Sequence, residues 1–325
     1  HLGSGAVAEL IPNIKRDGLR GGVTYSDGVE DDARFSIAVA LTAVEQGATA
    51  ITRARVTGLL TDDGGALAGL RVKDLVGGGE IEARATRVID ATGVWLGDPE
   101  ARLGGSTMKL APSRGTHLVF DRERLPLKAG MTLRVPGRVL FVIPHPGVWL
   151  VGTTDVADTG APDRPAPTLD EVDEILENVN AVLDADLTRD DAVGAFAGLR
   201  PLVGVPGGDT ARVSREHTIH REDSGLVRVS GGKYTTYRLM ARDAVDYALE
   251  GMDPMPESRT AGIPLVGAAP RERLDRLADE IARDSDLDRV RAGELVDRHG
   301  TRATDVVSLG QEHDLLRPLA EDRTE

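Results

Sequence analysis

The feature that most constrains the fold is the run from Ala197 to Arg238, where short apolar segments alternate with turns and end at a helix start. Phe196 to Leu199, His217 to His220 and Leu226 to Ser230 read as strands, Gly231-Gly232 as a turn and Thr235 to Leu249 as a helix. A strand that passes through a glycine pair into a helix demands a mixed α/β chain. The helix start presents unpaired N–H groups and a partial positive charge to whatever precedes it. Three cations of this run, Arg200, Arg215 and Lys233, make a candidate anion clamp beside that terminus.

Elsewhere the pattern is equally mixed. Residues 31 to 46 read as a helix with Asp31 and Asp32 in its first turn and Gly47 behind it. Val56 to Leu60, Ala66 to Lys73, Glu80 to Ala83 and Arg87 to Asp90 are strand candidates separated by glycine-rich turns, and the last runs into Ala91-Thr92-Gly93. HLVF, RVLFVIP and VWLVGTTD, between Gly115 and Asp155, suggest an antiparallel sheet. Thr168 to Glu171 fits a capping box that opens an amphipathic helix through Val172, Ile175, Leu176 and Val179, a packing element by its pattern. Residues 254 to 258, PMPES, read as a linker, and beyond Pro270 the chain is helical and charged.

Composition removes several function classes. A net charge of −14 argues against nucleic acid as a partner, because binding phosphate backbones needs a basic surface. The absence of cysteine excludes disulfides and thiolate chemistry. No apolar run reaches the roughly 18 residues that span a bilayer. His217 and His220 lack a third ligand, so a metal site is rejected.

Six ordered motifs carry a further expectation: YSDGVEDDARF at 25 to 35, VIDATGVW at 88 to 95, SRGTHLVF at 113 to 120, FVIP at 141 to 144, GTTD at 152 to 155, and the AGLRPL, SREH and GGKYTTYR series. Together they resemble the FAD-dependent, quinone-linked (aerobic) glycerol-3-phosphate dehydrogenase family over essentially the whole chain. The family's GxGxxG turn has no counterpart here, so a chain that begins inside the family's first domain and stops within its helical domain is expected.

The resemblance implies a partial two-domain flavoprotein of the D-amino-acid-oxidase/glutathione-reductase-like type, mixed α/β (α+β). Its parts are FAD-binding residues 1–105, a substrate-binding antiparallel sheet over 106–222, a returning FAD-binding segment over 223–252 and a partial helical domain over 259–325. It implies oxidation of sn-glycerol 3-phosphate to dihydroxyacetone phosphate, FAD as cofactor, a quinone as electron acceptor, and a cytoplasmic location with peripheral contact on the inner face of the membrane. A homodimer is compatible with it. An oxidase that uses O₂ and a non-catalytic binding fragment are the alternatives.

It also places Arg200, Arg215 and Lys233 in the substrate pocket. Arg215 and Lys233 are assigned to the phosphate, and Arg200 to the reacting C2 oxygen. His117 is the candidate general base, as an imidazole that titrates near neutrality, with a satisfied core histidine as the competing reading. Gly93, Gly232 and Thr235 are the candidates for flavin contact, although an ordinary turn and an N-cap would use the same residues. Thr153, Thr154 and Asp155 either line the pocket or end a strand.

Overall fold

The computed structural model describes residues 1–96, 103–104, 106, 108–135, 138–204 and 216–317. Its strands are β1 (Leu2–Gly3), β2 (Gly21–Gly22), β3 (Ala54–Thr61), β4 (Leu67–Asp74), β5 (Glu80–Arg84), β6 (Ile89–Asp90), β7 (Ser113–Asp121), β8 (Met131–Val135), β9 (Arg138–His145), β10 (Val148–Gly152), β11 (Val156–Ala157), β12 (Ala192–Arg200), β13 (His217–Arg221) and β14 (Val227–Gly231). The α-helices are α1 (Ser4–Leu10), α2 (Asp32–Glu45), α3 (Leu169–Val182), α4 (Tyr237–Ala248), α5 (Arg271–Asp284), α6 (Arg289–His299) and α7 (Ala303–Glu312).

The chain divides into two compact units, residues 1–26 with 53–257, and residues 27–52 with 258–325. The break at 257/258 falls in the PMPES segment. Helix α2 groups with the C-terminal helices, whereas the sequence reading leaves it with the N-terminal residues.

In the first unit, β7 is the hub of a six-stranded antiparallel sheet. β12 runs along one edge of β7 from Ser113 to Phe120; β10 and β11 share the other, followed outward by β9 and β8. Successive side chains of a strand face opposite ways. The even-numbered residues of β7 therefore point toward α3, where Leu118 and Phe120 join Trp149, Val151, Ile175 and Val179 in the main core. Each such side chain contributes about 1.5–3 kcal/mol through its removal from water. Trp149 also donates from Nε1 to the Leu125 carbonyl at 2.9 Å, so its one polar atom is satisfied.

Helix α3 starts where expected: the Thr168 hydroxyl accepts from Glu171 N, and Glu171 reaches back to Thr168 N. A smaller sheet has the order β13-β14-β6, with β6 parallel and β13 antiparallel to the fully buried β14. Behind β14 the chain makes a short 3₁₀ turn, Tyr234–Thr236, before α4 begins, so the helix starts two residues later than the sequence suggests. Strands β3, β4 and β5 form a separate meander.

The second unit is a helical assembly. Asp31 caps α2 by accepting from Arg34 N at 2.9 Å. Leu277, Ala278, Ile281, Ala292, Val296, Ala303 and Val307 form its core.

Candidate active site

Between the end of β12, the end of β14 and α4 lies a cleft of about 750 Å³. Its walls are mostly apolar, from Ile89 of β6 and Ala91 behind it, Leu199, Pro201 and Leu202, and Met240, Ala241 and Ala244 of α4; Arg200 and Lys233 bring cationic groups to it. Gly231 and Gly232 form the turn between β14 and the helix, with φ of +79° and +76°. A Cβ on Gly231 would lie 2.7 Å from the Glu216 carbonyl, which leaves no room for a side chain there, and at Gly232 the positive φ is one that other residues rarely adopt.

Arg200 is the most constrained group of the cleft. Its Nη2 donates to Thr153 Oγ1 and to the Thr154 carbonyl, each at 3.2 Å, and Nη1 donates to Ser113 Oγ at 3.3 Å. Asp155 Oδ1 lies 3.7 Å from Nη1 and itself accepts from Ser113 Oγ. Gly115 leaves the room this requires: a Cβ there would fall 2.4 Å from Arg200 Nη2 and 2.5 Å from Thr153 Oγ1. Of the competing readings for the GTTD segment the strand-ending one fits: Thr153, Thr154 and Asp155 follow β10 and hold the arginine, but none of them lines the cleft.

His117 stands on the same face of β7 as Gly115 and stacks on Phe196, its partner across β12, with ring centroids 5.0 Å apart. Gly152 opposite makes space for the ring, as a Cβ there would approach His117 Cδ2 to 2.5 Å. Burial lowers the imidazole's pKa, and the charge of Arg200 lowers it further, so His117 is neutral near pH 7. Its Nδ1 is buried and lacks a hydrogen-bond partner among the described residues. The ring does not line the cleft itself.

Of the other expected site residues, Gly232 lines the cleft, while Gly93 and Thr235 do not. Gly93, at φ +60°, opens the 3₁₀ turn after β6, and Thr235 sits inside the turn before α4, whose N-cap is Thr236. Arg215 lies outside the described residues.

Two charged clusters of this unit are assembled from residues far apart in the sequence. In one, Arg228 is wholly buried in β14, donates to Asp90 Oδ2 at 2.7 Å and to the Leu103 and Gly104 carbonyls, and pairs ionically with Glu222 at 3.0 Å. Asp90 also accepts from the Thr92 amide and hydroxyl, which shapes the turn beside the cleft. A lone arginine inside the apolar run LVRVS was the available signal. The other cluster centres on Glu171 and lies beneath β7.

The profile of the DAO family, described as FAD dependent oxidoreductase, matches residues 1–247. The glycerol-3-phosphate dehydrogenase of Mycobacterium leprae is 38% identical over 324 residues, 99% of this chain and 55% of the relative. Among solved structures, the glycerol-3-phosphate dehydrogenase from Bacillus halodurans, complexed with FAD, superposes with a TM-score of 0.84 at 29% identity, covering 96% of this chain and 63% of that one. The L-alpha-glycerophosphate oxidase from Mycoplasma pneumoniae, with FAD bound, shares the fold with a TM-score of 0.60 at 19% identity, covering 79% of this chain and 66% of that one. The chain spans about half the length of the curated relatives it matches.

Proposed function

The chain belongs to the DAO family of FAD dependent oxidoreductases, and from that premise we propose that it oxidises sn-glycerol 3-phosphate to dihydroxyacetone phosphate. The observation that carries this reading is the cleft itself, in which an immobilised Arg200 and a glycine turn with Lys233 flank an apolar space. The residues present fit a flavin: the wall is apolar enough for a ring system, the turn of Gly231 and Gly232 is bare of side chains, and a helix start stands behind it.

Bound FAD supplies the hydride acceptor. The protein's part is to hold and polarise the alcohol. In this reading Arg200, fixed by Thr153, Thr154 and Ser113, stands at the C2 oxygen and favours its passage from hydroxyl to carbonyl. Lys233, together with Arg215, holds the phosphate dianion. His117, which stands on β7 outside the cleft lining, is assigned as acceptor of the C2 hydroxyl proton because its imidazole is neutral and its Nδ1 has no hydrogen-bond partner among the described residues. Gly93, Gly232 and Thr235 are assigned to flavin contact: Gly232 on the cleft wall, the other two in the turns after β6 and before α4.

The finer domain division assigns residues 1–105 and 223–252 to flavin binding, 106–222 to the substrate and 259–325 to the helical domain. A quinone is assigned as the electron acceptor, with the protein cytoplasmic and peripheral on the inner face of the membrane. No helix among the described residues is long and apolar enough to cross a membrane.

The test is a visible absorption spectrum of the FAD-loaded protein without oxygen. Glycerol 3-phosphate is expected to bleach the flavin bands and unphosphorylated glycerol to leave them; bleaching by neither would refute the assignment. Reoxidation faster by quinone than by air supports the quinone, and the reverse order identifies an oxidase.

A further inference from the structure

We propose that Glu171 is a positioning residue for Arg200, acting through Thr154 and Thr116; the inference rests on the reading that Arg200 serves the reaction. Glu171 is only 3% exposed although it lies in the first turn of a helix whose cap needs little of it. A capping box is served equally by Glu or Gln, and by one side-chain oxygen. Here Oε2 performs that task, accepting from Thr168 N at 3.0 Å and Thr168 Oγ1 at 2.9 Å. The same oxygen accepts from Arg114 Nε at 3.0 Å.

The second oxygen faces the sheet. Oε1 accepts from Thr154 Oγ1 at 2.7 Å and from Thr116 Oγ1 at 3.1 Å. Thr154 Oγ1 accepts in turn from Thr116 N at 2.9 Å, so β7 and the turn between β10 and β11 are locked to one carboxylate. The Thr154 carbonyl then receives Arg200 Nη2, and Thr153 Oγ1, which also receives it, donates to that carbonyl at 3.2 Å. Gly115, over which the guanidinium lies, directly precedes Thr116. One carboxylate below the sheet thus fixes the three-residue turn that fixes the arginine above it. Burial pushes the Glu171 carboxyl up, but donation from Thr154, Thr168 and Thr116 outweighs it and holds the group below the usual range, hence ionised. A neutral amide cannot accept from all these donors at once.

The test uses the FAD-loaded protein, Glu171→Gln, Arg200→Ala and the double variant. Two quantities are read: kcat/KM for glycerol 3-phosphate, and the dissociation constant of dihydroxyacetone phosphate from its perturbation of flavin absorbance, which needs no turnover. Each single change is expected to worsen both by tenfold or more, whereas Glu171→Gln added to Arg200→Ala worsens them less than twofold further. Losses that multiply would overturn the proposal.

Thr154→Val should reproduce the Glu171→Gln effect and Thr154→Ser should restore values to within twofold of the parent; equal values for the two would also overturn it. If Glu171→Gln does not fold, the Thr154→Val cycle with Arg200→Ala carries the same comparison. Should glycerol 3-phosphate fail to reduce the parent's flavin, the functional reading falls. The melting-temperature cycle over the same four proteins then decides the coupling alone: non-additive shifts support it, additive shifts refute it.

Discussion

Two arginines of the first unit, Arg228 and Arg200, are both surrounded by acceptors, yet they sit in opposite surroundings. Arg228 has no exposed surface and bridges β6, β14 and the chain at Leu103 and Gly104. The side chain of Arg200 retains 28% exposure and opens onto the cleft. Charge pairing alone therefore does not mark a site. What separates the two is access, and with it the kind of loss expected when each is removed.

The largest effect should follow Arg228→Met, which leaves Asp90 buried without its cation and takes one ionic partner from Glu222. Removing one partner of a buried pair costs about 3–5 kcal/mol, so the denaturant midpoint should fall steeply. A midpoint within experimental error of the parent's would erase the contrast. Arg200→Ala should lower kcat/KM for glycerol 3-phosphate by about 10²–10³, the loss typical of a preorganised donor, with little change in the same midpoint.

Lys233 is exposed and its ammonium is a point charge. Lys233→Ala should accordingly raise KM more than it lowers kcat, by about 1.5–3 kcal/mol, with selectivity over glycerol reduced. Unchanged selectivity would remove Lys233 from the phosphate.

Titration sharpens the comparison further. Because burial and Arg200 both lower the His117 pKa, the acidic limb of kcat/KM should lie below the ordinary imidazole value of about 6.5. Arg200→Ala should move that limb to higher pH, and His117→Asn should abolish it; a limb indifferent to both changes would exclude His117 as the base. The smallest effect concerns Glu171, whose carboxyl is held below its unfolded value. The unfolded chain then takes up this proton first, so stability is present above about pH 4.5 and declines as pH falls through the folded value. Acid titration of Glu171→Gln, followed by fluorescence, should lack that component.

Much of this was legible from residue order. The capping box at Thr168, the helix start at Asp31 and Asp32, where Asp31 proves to be the cap rather than part of the first turn, and most strands of the main sheet are local patterns and appear where such patterns place them. The placement of Arg200, Gly232 and Lys233 on one cleft depends on β12 and β14 converging, which periodicity cannot express. β8 escaped notice because Met131–Val135 is short and gains its identity from pairing with β9. The sequence shows Glu171 only as a cap, since its second oxygen meets Thr116 and Thr154, 55 and 17 residues away. Arg228 illustrates the same limit, as its partner Asp90 lies 138 residues earlier.

The most direct measurement is anaerobic flavin bleaching by glycerol 3-phosphate in the parent and in Arg200→Ala, with melting temperature recorded on the same samples. The account predicts bleaching slowed by about a hundredfold or more while the melting temperature stays within a few degrees. Unslowed bleaching, or slowing that merely follows a loss of folded protein, would contradict it.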